Sequence, residues 1–365
     1  MSPRDLSARA TLLPERSLGP HDSLAHAIWG SRRGWIRRGP GHGWAGHVRG
    51  RVVCDDHAVK TVPIVRPADG RATGDAESAA LLRERLAGVR ALLLDLDGVL
   101  VLKGAPLPGA VEALGALDSR RFPYLIGTNV SLKSRVTLAR ELTDSGLAIS
   151  ADRIVSAVST AAALARRRYG TSQLYVMASQ DAVTEFAGLR LLSHEEAADP
   201  EAQVVAVVVG DAGDDFTPRN MQSAFRMVRN GARLVAMHKN RWWLTPAGVT
   251  LDSGAYVAAL EFGTQKRSLV TGKPSRAFFD EAVRLLGMGC GTGPSDRLFP
   301  GDVAMVGDDL WNDIRGAQKA GLRGIFVRSG KHGDAELARA ASERARRLPD
   351  AVAPSIAEVV AALPG

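Results

Sequence analysis

The chain has 365 residues, 45% hydrophobic and 24% charged, the composition of an ordinary soluble globular protein long enough for two domains. No run approaches the roughly 18 apolar residues of a membrane span, the first thirty residues lack a secretory h-region, and two distant cysteines, Cys54 and Cys290, fit neither a metal nor a disulfide framework, so a cytoplasmic, membrane-free setting is expected. Of the net charge of +8, residues 1–90 contribute +6 (15 Lys/Arg against 9 Asp/Glu), which assigns the basicity to a leader and argues against nucleic acid as the partner of the body.

Residues 1–86 carry clusters such as Ser31-Arg32-Arg33-Gly34 and Arg37-Arg38-Gly39-Pro40 without a sustained period. They read as a basic, disordered leader in which only 51–54 and 62–65 could pair as a hairpin. An apolar helical spacing over 75–89 leads into a strand at 90–94, whose continuous apolar run implies burial on both faces. Similar strands recur at 124–127, 203–209, 233–237, 303–306 and 324–327, and helical patterns at 109–119, 135–145, 156–169, 217–230, 276–286 and 314–320. The alternation predicts an α/β fold, a Rossmann-like doubly wound parallel sheet. In such sheets the chemistry gathers at the carboxyl ends of the strands.

Two acidic clusters occupy such ends. Leu94-Asp95-Leu96-Asp97-Gly98 and Val306-Gly307-Asp308-Asp309 each follow a buried strand, where carboxylates are costly unless a cation or a reaction employs them. If both strands share one sheet, Asp95 and Asp308 can converge on one hard cation, and oxygen-only ligands suit Mg²⁺. Asp313 reads either as a support that pairs with a base or as a carboxylate favoured by a helix N-terminus. Between the clusters, Thr128-Asn129-Val130-Ser131 places a hydroxyl and an amide where a helix opens toward an anion. Thr271-Gly272-Lys273-Pro274-Ser275 places one lysine before a helix, with Pro274 in its first turn.

Taken in order, Asp-x-Asp-Gly, a hydroxyl after a strand, a Lys-Pro helix start and Gly-Asp-x-x-x-x-Asp resemble the four motifs of the haloacid dehalogenase superfamily. Thr128 lies 33 residues beyond Asp95, too few for a domain, whereas Lys273 lies 145 beyond Thr128, so a second domain is expected between them. The resemblance is closest to the branch with a large α/β cap after the second motif, which includes the N-acetylglucosamine-phosphate and p-nitrophenyl phosphatase-like enzymes. Within it, the stretches His238–Trp243, Leu251-Asp252-Ser253-Gly254 and Gly272-Lys273-Pro274 are most similar to the phospholysine phosphohistidine inorganic pyrophosphate phosphatase group. The implied organisation is a leader at 1–86, a hydrolase core at 87–170 and 263–350, an α/β cap at 171–262, and a terminal helix or tail at 351–365.

The resemblance implies a Mg²⁺-dependent phosphatase acting on a small phosphorylated metabolite through an aspartyl-phosphate. Asp95 would be the nucleophile, Asp97 the general acid and base, and Thr128 and Lys273 would stabilise the phosphoryl group. Asp95, Asp308 and the backbone carbonyl of Asp97 would hold the metal, with Asp309 and Asp313 in support. Asn129 and Ser131 belong to the phosphate loop. His238, Asn240 and Arg241 are candidate substrate contacts by analogy, on a segment expected to be a loop; packing of the cap is the competing account. Homodimerisation through the cap is also implied. The alternatives are phosphomutase-type transfer, which the short first gap disfavours, and binding of nucleic acid or an anionic surface by the leader, where Trp29, Trp35 and Trp44 lie among arginines.

Overall fold

Both faces of the strand Ala91–Asp95 are apolar, and alternate residues enter different cores: Leu92 and Leu94 join one buried cluster, Ala91 and Leu93 another. A strand of that kind needs cover on both sides. A computed structural model of the chain supplies it, describing residues 73–245, 248–289, 297–342 and 348–364. The 51–54/62–65 hairpin, the three leader tryptophans and both cysteines lie outside the described residues.

Ala91–Asp95 is central in a six-stranded parallel sheet. On one side it pairs with Tyr124–Thr128 and then Ile154–Ser156; on the other come Val303–Gly307, Arg323–Val327 and Ala351–Ala353. The chain therefore leaves the central strand in one direction and returns on its opposite flank, and the crevice at such a switch point opens at the carboxyl ends. Helices Thr73–Leu86, Ala110–Ser119, Arg135–Asp144 and Ile356–Ala361 feed the cluster on one face; Arg276–Met288 and Gly316–Ala320 feed the other. Phe278 and Phe279 are fully buried there, and truncating either to alanine removes about 3–5 kcal/mol.

A second parallel sheet has the order Leu269–Val270, Arg233–Ala236, Ala206–Val209, Gln173–Met177, Arg190–Leu192. Helices Pro218–Arg229 and Ser253–Thr264 cover one face, and helix Ala157–Tyr169, through Ala157, Val158, Ala161, Ala162 and Ala165, covers the other. Its small side chains let the helix lie close to the sheet. Polar contacts join the two sheets' neighbourhoods: Ser134 N–H donates to Asp181 at 2.7 Å, and Arg135 forks onto Glu185 at 3.0–3.1 Å. The doubly wound sheet with an inserted α/β unit is the architecture expected.

Several boundaries differ from those expected. The leader does not extend to residue 86, because Thr73–Leu86 is a helix whose Leu82 and Leu86, one turn apart, enter the main core. The expected cap boundary at 262 falls inside helix Ser253–Thr264, and Leu269–Val270 still belongs to the second sheet. Residues 351–353 are an edge strand of the first sheet, ahead of the terminal helix. The 238–243 segment is no simple loop, since Trp242–Thr245 pairs with Gly248–Leu251 in an antiparallel hairpin. Among the described residues no helix is long and apolar enough to cross a membrane.

Candidate active site

The register of the first sheet fixes what meets at its carboxyl edge. Leu94 lies opposite Val306 and Asp95 opposite Gly127, so Asp95 ends the central strand and Thr128 and Asp308 follow one residue further along its two neighbours, all at the same carboxyl edge. Asp95, Asp308 and Asp313 each offer a carboxylate oxygen within 4.8 Å of the others. Lys273 enters from the segment after the second sheet. Its Nζ lies 2.6 Å from Asp95 Oδ1, 2.7 Å from Asp313 Oδ1 and 3.0 Å from the Gly127 carbonyl, and all four side chains are buried.

Three acids and one ammonium in a space largely closed to water leave negative charge in excess. Burial pushes Asp95 up to about 6 against the pull of Lys273, with Asp308 adding to the rise. Burial likewise lifts Asp308 to about 6, opposed by the Lys331 N–H and aided by Asp313. Asp313 rises to about 8 through burial and Asp95, despite Lys273. Desolvation works against the Lys273 ammonium, but Asp313 and Asp95 prevail and raise its pKa. A donor set of hard carboxylate oxygens with surplus negative charge fits a divalent cation such as Mg²⁺.

Gly98 and Gly330 shape the same spot. Gly98 has φ +82°, and a Cβ on either glycine would overlap the Asp308 carboxylate. The Lys331 N–H donates to Asp308 Oδ2, and Ser329 Oγ donates to the Gly98 carbonyl at 2.7 Å. This Ser329-Gly330-Lys331 turn is missing from the residues expected on sequence grounds, although its signature, a glycine just beyond the buried strand Arg323–Val327, is the one that marks the other site segments.

The expected residues divide into three groups. Asp97 is exposed at the edge of the cluster, with no hydrogen bond or ion pair fixing its carboxylate among the described residues; surrounding protein still desolvates it enough to raise its pKa, against Lys273 and Lys133. Thr128 is buried, and its Oγ1 accepts the Val130 N–H at 3.1 Å. Asp309 turns away: it caps the π-helical turn Leu310–Arg315 through Trp311 and Asn312 N–H and pairs with Lys331 at 2.9 Å. Burial opposes its ionisation, but these donors hold it down to about 2.

Asn129 and Ser131 bond to protein. Asn129 Oδ1 accepts the Lys273 N–H at 2.7 Å and its Nδ2 donates to the Lys273 carbonyl at 3.0 Å. Ser131 Oγ lies 2.8 Å from His238 Nε2 and accepts the Asp211 N–H at 3.1 Å. His238, 3% exposed, is an interior group bonded to protein, with Ser253 Oγ also at 3.4 Å. Arg241 is exposed and Asn240 half-buried. Pro274 is not in the first helical turn: Ser275 is the N-cap, accepting from Phe278 N–H, and the Lys273–Pro274 bond is cis.

The family model for haloacid dehalogenase-like hydrolases matches residues 92–191, and a HAD-hydrolase-like model matches 270–359. Over 244 residues, 67% of this chain and 86% of the relative, the chain is 35% identical to haloacid dehalogenase-like hydrolase domain-containing protein 2 of Bos taurus. It is 33% identical over 254 residues, 68% of this chain and 86% of the relative, to the human phospholysine phosphohistidine inorganic pyrophosphate phosphatase. Among solved structures, a glycerol phosphate phosphatase from Mycobacterium tuberculosis in complex with magnesium superposes with a TM-score of 0.63 at 26% identity, covering 75% of this chain and 77% of that one.

Proposed function

The chain belongs to the haloacid dehalogenase-like hydrolases and is a phosphoric ester hydrolase, and from that premise we propose that it dephosphorylates a small phosphorylated metabolite through an aspartyl-phosphate formed on Asp95. The observation that carries the proposal is the convergence of Asp95, Asp308, Asp313 and Lys273 from distant segments on one buried carboxyl edge. In this reading the described residues of 73–156 and 271–364 form the catalytic unit, and the second sheet with its helices, within 157–270, forms the cap.

Asp95, Asp308 and the backbone carbonyl of Asp97 would hold Mg²⁺, which would supply positive charge against the repulsion between the nucleophile and the phosphate oxygens. An Asp95 carboxylate oxygen attacks phosphorus as the bond to the leaving oxygen breaks, and Asp97 donates a proton to that oxygen. Asp97, whose carboxylate has no fixed partner among the described residues and whose pKa is raised, suits that role. In the second step the Asp97 carboxylate takes a proton from water, whose oxygen attacks phosphorus and releases phosphate and Asp95. Lys273 compensates charge on the nucleophile and on the phosphoryl group. Thr128, whose Oγ1 accepts from Val130 N–H, keeps its hydroxyl proton for a phosphoryl oxygen. Asn129, Ser131, Asp309 and Asp313 hold these groups, and Asn240 and Arg241 are the cap residues offered to the substrate.

The test is a screen of phosphomonoesters, phosphohistidine and pyrophosphate with and without Mg²⁺, native chain against Asp95→Asn. Turnover that needs the metal and falls by at least about 10³-fold in the variant is expected. Equal turnover by the two proteins would refute the role of Asp95.

A further inference from the structure

We infer that His238 is a positioning residue whose hydrogen bond to Ser131 closes a ring of bonds fixing Lys273. The inference rests on the function proposed for Lys273 and Thr128.

Lys273 is held by both polar atoms of the Asn129 side chain, at 2.7 and 3.0 Å. Asn129 continues through Val130 to Ser131, whose Oγ meets His238 Nε2 at 2.8 Å. From His238 the backbone passes to Met237, whose carbonyl accepts the Gly272 N–H at 2.6 Å. Gly272 is bonded to Lys273, and the ring is complete. Gly272 has no room for a side chain, since a Cβ there would press on the Met237 carbonyl and on Asn129 Oδ1. The other links are backbone bonds or involve a backbone partner; Ser131–His238 alone joins two side chains.

The partners set the proton positions. Asn240 N–H points at His238 Nδ1 at 3.3 Å, so Nδ1 is the acceptor and Nε2 carries the hydrogen given to Ser131 Oγ, an assignment made from the network. Burial lowers the pKa of His238, with Asp252 and Asp211 opposing, in keeping with a neutral ring. Ser131 Oγ also accepts from Asp211 N–H, so the phosphate loop is tied to the ends of two strands of the second sheet, Ala206–Val209 and Arg233–Ala236.

The experiment compares Ser131→Ala, His238→Phe, the double variant and His238→Gln in hydrolysis of p-nitrophenyl phosphate with Mg²⁺, beside Asp95→Asn. Each single loss of the bond should lower kcat about ten-fold with KM changed less than about three-fold. The double variant should be no worse than the worse single, because both cut one bond. His238→Gln, which keeps a donor, should recover most of kcat. Additive losses, a rise confined to KM, or native kcat in Ser131→Ala would overturn the inference. Turnover surviving in Asp95→Asn would remove the catalytic reading, whereas an inactive Asp95→Asn beside a fully active Ser131→Ala would remove the brace alone. Amide hydrogen exchange over residues 271–273 reads the ring without reference to activity: faster exchange in Ser131→Ala is expected, and unchanged exchange refutes it.

Discussion

Gly98 and Gly104 offer a matched pair for testing how closely Asp308 is held. Both have nearly the same left-handed backbone, φ +82° and +81°, so alanine at either costs about 1–2 kcal/mol of backbone strain. Their surroundings differ. At Gly104, in the tight turn between Val101–Leu102 and Ala105–Pro106, a Cβ meets nothing within 4 Å; at Gly98 it would overlap the Asp308 carboxylate and lie 2.9 Å from the Gly330 Cα. Restoring ordinary contact requires the carboxylate to retreat by more than about 1 Å, and a misplacement of about that size costs on the order of 10²-fold in rate. The strain alone predicts equal losses of stability; the contact predicts that only Gly98→Ala loses activity. Thermal melts together with phosphatase assays over a Mg²⁺ titration separate the two, Gly98→Ala losing about 10²-fold in kcat/KM and needing more Mg²⁺, Gly104→Ala retaining native turnover. Activity of Gly98→Ala within about three-fold of native, or an equal loss in both, would refute the role given to this contact.

Replacing Lys273 with methionine leaves three buried acids without their internal cation; kcat should fall at least about 10³-fold, and without added metal the protein should lose about 3–5 kcal/mol, read by denaturant titration. Glu281 is buried, and the forks of Arg284 and the guanidinium of Arg167 outweigh that burial and hold its pKa below the usual range. A depressed carboxylate stabilises above its unfolded pKa of about 4.3 and loses that contribution as pH falls through the folded value. Glu281→Gln should therefore cost about 1–2 kcal/mol at pH 7, and the gap from native should narrow in acid melts below about pH 4. Phe278→Ala should cost about 3–5 kcal/mol with no change in KM; a loss below about 1 kcal/mol would contradict its burial.

How much of the molecule is legible in the sequence depends on how local each signal is. Asp95 and Asp308 are legible because a buried strand and the carboxylate that ends it are neighbours in the chain, so the cost of burying that charge is visible without coordinates. Asp313 is ambiguous for the opposite reason: its partner is Lys273, forty residues earlier, and only the fold decides between that ammonium at 2.7 Å and a helix dipole. His238 cannot be resolved at all, since a histidine bonded to Ser131 and one bonded to substrate have the same sequence. The Ala351–Ala353 strand is three residues long, too short to show a period. The Ser329–Lys331 turn carries a glycine signal but no acid to draw attention to it: what it gives Asp308 is a backbone N–H, and its one charge, the Lys331 ammonium, goes to Asp309.

The pairing of Val270 with Ala236 constrains which changes of length the chain can tolerate. Three residues later comes an ammonium whose three contacts lie within 3.0 Å, and one added residue in an extended segment displaces the chain beyond it by about 3.3 Å. An insertion or deletion at 271 or 272 would therefore withdraw the charge entirely, whereas the connection between Trp242–Thr245 and Gly248–Leu251 can lengthen without reaching it. A second-sheet unit transplanted from a relative would have to arrive with its own final strand and the same two-residue spacer for the ammonium to keep its three contacts.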